Sequence, residues 1–249
     1  MTTHAPVPLR IGVIGAGRVG AVLGAALPRV GHDVVAASAV SAESRRRVDR
    51  LLPGVPILAP DEVVSAADLV LIAVPDDALR PLVAGLAATG VWRDGKLVAH
   101  TSGAHGIGVL DPAAARGVLP LALHPVMTFV GRDEDLDRVA GAAFGVTAPV
   151  ELRAVAEALV VEIGGEPIWV PERARPMYHA ALTLGANHLV TLVTDAADLL
   201  KNAGVDHPAR LLSPLLSAAL DNALRLGDAA LTGPVSRGDS ATVATHLEV

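Results

Sequence analysis

The sequence predicts an α/β protein in which a doubly wound, mainly parallel sheet is followed by a smaller all-helical domain. Three observations predict it. Apolar, β-branched runs alternate with alanine-rich segments as far as residue 170, a glycine-rich turn joins the first run to the first helical segment, and nothing strand-like follows residue 170. Alternation of that kind is the mark of parallel strands joined by crossover helices. The change of pattern divides the 249 residues into a domain over 1–170 and a helical domain over 171–249. A chain of this length can bury the core of one large or two ordinary domains.

The strands expected in order are Leu9 to Ile14, Asp33 to Ser38, Leu69 to Val74, Leu97 to His100, Val118 to His124 and Ala143 to Thr147, with shorter ones at Val55 to Leu58 and Pro167 to Val170. PERARP, residues 171–176, places two prolines and three charges at the break, as a linker or helix start does. Helices follow over 173–203 and 208–227. A last one opens after Asp239, where Asp239 or Ser240 can cap exposed backbone N–H groups. It ends at His246-Leu247-Glu248-Val249 without a glycine or basic stop signal, so it is expected to continue or to meet a partner.

Composition removes several function classes. Hydrophobic residues make up 51% of the chain but only five are aromatic, so alanine, leucine and valine must build the core. The formal charge is −6 and the arginines are scattered, unlike a nucleic-acid footprint. Without cysteine there is no disulfide, thiolate nucleophile or thiolate metal site. His100, His105 and His124 are the remaining metal candidates, but no histidine pair stands at helical ligand spacing, so no metal is expected. MTTHAPVPLR lacks the basic start and apolar run of a secretory signal, and a cytoplasmic protein is expected. Residues 176–194 run nineteen positions without a charge, yet their His, Asn, Thr and Gly residues would be costly in hydrocarbon, so no membrane span is expected.

LRIGVIGAGRVGAVLGAAL sets Gly15, Gly17 and Gly20 in G-x-G-x-x-G spacing between a strand and a helix. Gly15 permits the tight turn, Gly17 lets a pyrophosphate approach the backbone, and Gly20 lets the helix pack on the strand. Ala16, Arg18 and Val19 complete the loop and the first helical turn, whose N–H groups and dipole favour an anion. This is a Rossmann-type dinucleotide site. At the end of the second strand, VVAASAVSAESRRR offers no acid before Glu43 but supplies Ser38 and Arg45. A 2′-phosphate needs such hydroxyl donors and positive charge, whereas NAD calls for an acid there, so the expected cofactor is NADP(H).

Three further strand ends converge on the same edge. AVPDDAL brings Val74 and Pro75 beside the cofactor, HTSGAHG brings His100, Thr101 and Ser102, and LHPVMTF brings His124. In the long helix residues advance about 100° each, so His179, Thr183 and Asn187 fall at about 0°, 40° and 80° and form one polar strip. Tyr178 lies about 180° from Asn187, and His188 about 180° from His179. Geometry nominates His179 with Asn187, gives Tyr178 a role only if the first turn is irregular, and sends His188 to packing.

Taken together, the G-x-G-x-x-G turn, H-T-S-G-A, L-H-P-V-M-T-F, R-P-M-Y-H-A-A with Asn187 downstream, and L-T-G-P-V-S-R-G-D resemble a bacterial family of Rossmann-like oxidoreductases with a C-terminal helical domain of unknown function. The similarity covers nearly the whole chain. More distantly the layout is similar to 6-phosphogluconate dehydrogenase, β-hydroxyacid dehydrogenases, pyrroline-5-carboxylate reductase, deazaflavin-dependent NADP reductases and ketopantoate reductase. The resemblance implies reduction of a small carbonyl, such as 2-dehydropantoate to pantoate, between the nicotinamide and the long helix. Relatives often place a lysine there, but this chain has only Lys96 and Lys201, neither on the strip. His179 would then donate the proton, with Asn187 and Ser102 positioning substrate, His100, His124 and Thr183 shaping the pocket, and Ser102 or Arg237 meeting a carboxylate. The alternatives are an imine reductase of the pyrroline type and a non-catalytic NADP-binding sensor or scaffold. Relatives also pair through their helical domains, which implies a homodimer with Arg237 and Asp239 near the interface or the neighbouring site.

Overall fold

The computed structural model describes residues 8–248. The run MTTHAPV, part of the stretch without secretory character, and Val249 lie outside the described residues. The chain forms two compact units, Met1–Leu182 and Thr183–Val249.

In the first unit the elements are β1 (Arg10–Ile14), α1 (Arg18–Ala26), β2 (Asp33–Ser38), α2 (Ala42–Leu51), α3 (Pro60–Ala66), β3 (Leu69–Ile72), α4 (Asp76–Thr89), β4 (Leu97–His100), α5 (Asp111–Ala114), β5 (Leu119–Pro125), α6 (Glu134–Val139), β6 (Ala143–Thr147), α7 (Arg153–Glu162), β7 (Glu166–Trp169) and the start of α8 (Arg175–Asn202). Seven strands make one sheet in the order β2-β1-β3-β4-β5-β6-β7. All neighbours are parallel except β5 and β6, which are antiparallel. From β1 the chain winds outward first to β2 and then to β3, so a topological switch point lies between β1 and β3, where such sheets bind ligands.

Both faces of the sheet are covered, which explains why its central strands read as continuous apolar runs. Ile11, Val13, Leu69 and Leu71 pack with α1, α2 and α7 on one side. Ile14, Val70 and Ile72 pack with Val63, Leu79 and Val83 of α3 and α4 on the other. Helix starts follow local chemistry. Ser41 accepts the Ser44 N–H at 3.0 Å to open α2, and Glu62 accepts the Ala59 N–H at 2.9 Å to open α3.

Val55 to Leu58 does not form the expected strand. Only Ile57 bridges to Ala37, because Pro56 has no N–H to continue a ladder. Pro167 to Val170 does pair, as β7 alongside β6. The compact units divide at Leu182, twelve residues beyond the expected boundary at 170, because the first turns of α8 are held to the sheet by Arg175 and Tyr178.

In the second unit, the remainder of α8 is followed by α9 (Pro208–Leu226), α10 (Pro234–Arg237) and α11 (Ser240–Leu247). L-T-G-P-V-S-R-G-D winds one short helix between Gly233 at φ 95° and Gly238 at φ 69°. Asp239 caps α11 by accepting the Thr242 N–H at 3.2 Å. Leu184, Leu192, Leu199, Leu215 and Leu224 are exposed. No described helix is long and apolar enough to cross a membrane.

Candidate functional site

The glycine turn builds an anion cradle. Gly15 adopts φ 89°, and a Cβ on it would come 2.6 Å from the Ala73 carbonyl. A Cβ on Gly20 would meet the Gly15 carbonyl at 2.3 Å, so this glycine is what lets α1 lie against the turn. Gly17 differs: its Cβ would meet nothing closer than Gly15 O at 3.9 Å. The loop is fastened from behind, since Gly15 and Ala16 donate to the Ser38 carbonyl at 3.2 and 2.9 Å. At the front, Gly17 is the N-cap of α1 and no side chain caps that helix, leaving first-turn N–H groups for an external acceptor. Val19 is half-buried and Arg18 exposed at that turn. This arrangement fits a diphosphate.

Beyond the end of β2, Ser38, Val40, Arg45, Ile57, Leu58 and Pro60 line a depression. Exposed Arg45 and half-apolar walls suit a phosphorylated ribose with its base. Arg47 instead pairs with Glu43 one turn away, and Arg50 reaches the Gly131 carbonyl, so these arginines of α2 have different surroundings. Val74 is half-buried, and Pro75 is exposed as the N-cap of α4.

The two strand-end histidines separate. His100 is fully buried. Its Nε2 lies 2.9 Å from the Gly106 carbonyl, and its Nδ1 accepts the Ser102 N–H at 3.2 Å. Nδ1 can accept only if unprotonated, so Nε2 carries the hydrogen and donates to Gly106. Burial pushes its pKa down to about 4. Both ring nitrogens are thus spent holding the loop, and the ring presents no surface. Ser102 is also buried, its hydroxyl accepting the His105 N–H at 3.1 Å.

His124 is the ring at the centre. Tyr178 Oη lies 2.8 Å from His124 Nδ1, and the His179 ring stands edge-on with centroids 6.0 Å apart. Burial first, then the Arg175 charge and His179, lower the His124 pKa to about 4 against an opposing Asp76, so the ring is neutral near pH 7. Burial raises the Tyr178 pKa, with Arg175 opposing. Arg175 itself is fully buried. It donates to Thr147 Oγ1 at 2.8 Å, to the Gly145 carbonyl at 2.9 Å and to the Ala122 carbonyl at 3.1 Å, tying α8 to β5 and β6. No carboxylate lies within ion-pair distance of it among the described residues.

Tyr178 and Arg175 are the site residues that sequence reasoning missed. Tyr178 is the chain's one tyrosine, and Arg175 precedes it by three positions, one helical turn away, which was the available signal. Thr183 and Asn187 lie farther along α8 and are exposed, and Arg237 ends α10, also exposed; all three belong to the second unit.

Comparison with known proteins accords with this architecture. Residues 2–125 match a Rossmann-like domain, and residues 142–249 match a domain of unknown function, DUF2520. No curated protein matches the sequence. Among solved structures, a Bacteroides fragilis protein assigned as an NADP oxidoreductase is 24% identical with a TM-score of 0.77, over 97% of this chain and 90% of that one. A pyrroline-5-carboxylate reductase from Coxiella burnetii is 15% identical with a TM-score of 0.63, over 97% and 93%. An imine reductase from a Pseudomonas species is 18% identical with a TM-score of 0.67, over 94% and 79%. At these identities the likeness is one of fold. The chain thus matches a Rossmann-like domain followed by a DUF2520 domain.

Proposed function

We propose that this chain is an NADPH-dependent oxidoreductase that reduces a small carbonyl compound, with a branched 2-oxo acid of the ketopantoate type as substrate. One observation carries the reading: the carboxyl edge of a single sheet bears both an uncapped glycine cradle for a diphosphate and a His124–Tyr178–His179 cluster backed by a buried cation. The NADP oxidoreductase of like fold supports the cofactor. In this reading Gly15 to Gly20 hold the pyrophosphate, Ser38 and Arg45 meet the 2′-phosphate, and Val74 and Pro75 flank the nicotinamide side. Hydride transfer is the chemistry that cofactor supplies when bound. The protein orients the acceptor, excludes water and provides a proton from the imidazole cluster, with Ser102 positioning substrate.

A C=N acceptor is the second reading. Neither lysine is available as an ammonium donor at the site: Lys96 reaches the Ala67 carbonyl and Lys201 pairs with Asp198. An imine carried as its iminium ion needs no strong acid at the reacting centre, and the pyrroline-5-carboxylate and imine reductases of like fold support this class. A cytoplasmic location belongs to the same proposal, since NADPH is an intracellular cofactor. So does a homodimer through the helical unit, whose exposed leucines a second copy would cover.

Thermal-shift titration followed by NADPH oxidation with ketopantoate, other 2-oxo acids and cyclic imines tests the reading. NADPH is expected to raise the melting temperature more than NADH. Arg45→Ala should cost NADPH about tenfold or more in affinity, the worth of one charge-assisted hydrogen bond, and leave NADH unaffected. Equal stabilisation by the two cofactors would sink the assignment of Ser38 and Arg45. NADPH binding without turnover across the panel would leave a sensor or scaffold.

A further inference from the structure

We infer that His124, fixed as its Nε2–H tautomer by Tyr178, is the group that hands a proton to the substrate heteroatom, with Arg175 stabilising the relay behind it. The inference rests on the oxidoreductase reading and assigns within it a role that the helical strip gave to His179.

The tautomer is assigned from the partner of Nδ1. The Tyr178 hydroxyl has His124 Nδ1 as its hydrogen-bond partner among the described residues, at 2.8 Å. A phenol oxygen can donate or accept and a neutral imidazole has one acceptor nitrogen; Nδ1 is the acceptor that the phenol O–H has among the described residues, so O–H is assigned as the donor to Nδ1 and the ring hydrogen to Nε2. Two glycines leave room for this arrangement. A Cβ at Gly145, the β6 partner of His124 across the antiparallel pair, would come 2.2 Å from the Tyr178 oxygen. A Cβ at Gly103 would come 2.8 Å from His124 Nε2 and 2.7 Å from His179 Cδ2. Neither glycine has a positive φ, so space rather than backbone conformation accounts for them. Nε2 has no hydrogen-bond partner among the described residues and the His124 ring is only half-buried, so it is left to donate to a substrate oxygen or nitrogen.

Arg175 completes the relay. Its hydrogen bonds go to neutral oxygens, Glu172 acts on its charge from a distance, and its guanidinium carbon lies 5.6 Å from the Tyr178 ring centroid. With NADPH as the bound reductant, oxidised to NADP+ as it gives hydride to the carbonyl carbon, the π pair of the carbonyl would move to oxygen, which would take the Nε2 proton. The N–H pair stays on the ring, Nδ1 takes the phenol proton, and the O–H pair stays on Tyr178 as phenolate beside Arg175. One proton from water at Nε2, with return of the Nδ1 proton to the phenolate, resets the pair. The charged and titratable groups bearing on His124 are Arg175 and His179 from α8 and Asp76 from α4; Arg175 bears on Tyr178.

Long-range 1H–15N NMR on the free protein reads the tautomer, with the His124 signals assigned by their loss in His124→Asn. The Nε2–H form is expected in the wild type and a tautomer mixture in Tyr178→Phe. An Nδ1–H wild type, or a Tyr178→Phe spectrum identical to it, overturns the proposal. With the best 2-oxo acid substrate of the panel, Tyr178→Phe and His124→Asn should each lower kcat about 100-fold, the lower range of general-acid contributions. The NADPH-induced thermal shift should be retained, and an unchanged kcat in either variant also overturns the proposal. Absence of NADPH stabilisation in the wild type counts instead against the oxidoreductase reading, on which the NMR result does not depend.

Discussion

Two histidines on neighbouring strands, His100 and His124, show how surroundings decide what one residue type does. Sequence offers them as equals, each at a strand's carboxyl end. Hydrogen bonding separates them: His100 spends both nitrogens on its own loop, whereas His124 spends one on Tyr178. Both share an acid liability. Each folded-state pKa is lowered from 6.5 to about 4, so the unfolded chain binds their protons more readily. The stability they contribute is present above about pH 6.5 and is lost as pH falls toward 4, on the order of 3 kcal/mol for each ring. Urea unfolding at pH 7 and pH 4.5 should show this loss. His100→Gln should be less stable at pH 7 yet depend less steeply on acid, and an unchanged slope would contradict the assignment.

At the scale of the element, the glycine turn and the head of α8 behave differently under inspection from sequence. The turn was legible in full, because its demands are local: a left-handed φ at Gly15, an open approach at Gly17 and contact at Gly20 all follow from spacing within six residues. These roles make separable predictions. Gly20→Ala, meeting a backbone carbonyl at 2.3 Å, should lower stability by about 1–3 kcal/mol, as overpacking does. Gly17→Ala should unfold at nearly the wild-type urea concentration but lose at least about tenfold in NADPH affinity, or about 1.4 kcal/mol. Equal unfolding midpoints for the two variants would refute the distinction. The head of α8 was legible only in part. Helical periodicity placed His179 toward the site, but it also set Tyr178 aside, and the structure brings both rings to His124 at centroid distances of 5.6 and 6.0 Å. Adjacent helical positions diverge by about 100° at the backbone, yet two long rings can still reach one side chain standing between them.

For the whole molecule, the helical unit poses the question of what covers it. Leu192 is 60% exposed and Leu215 63%, an apolar surface of the kind that marks an interface. The proposed homodimer predicts that sedimentation at micromolar concentration gives twice the chain mass, and that Leu192→Glu with Leu215→Glu moves the population to monomer. A monomeric wild type would leave those leucines unexplained. By itself the sequence determined the α/β class, the strand order along the chain, the dinucleotide turn and the all-helical ending, because apolar periodicity, turn glycines and proline act over a few residues. Only the tertiary structure decided that β5 and β6 run antiparallel, that Gly145 therefore lies opposite His124, and that Arg175 is buried among strand carbonyls with Tyr178 beside it. Those facts depend on strand pairing and side-chain reach between segments dozens of residues apart, which no local pattern encodes.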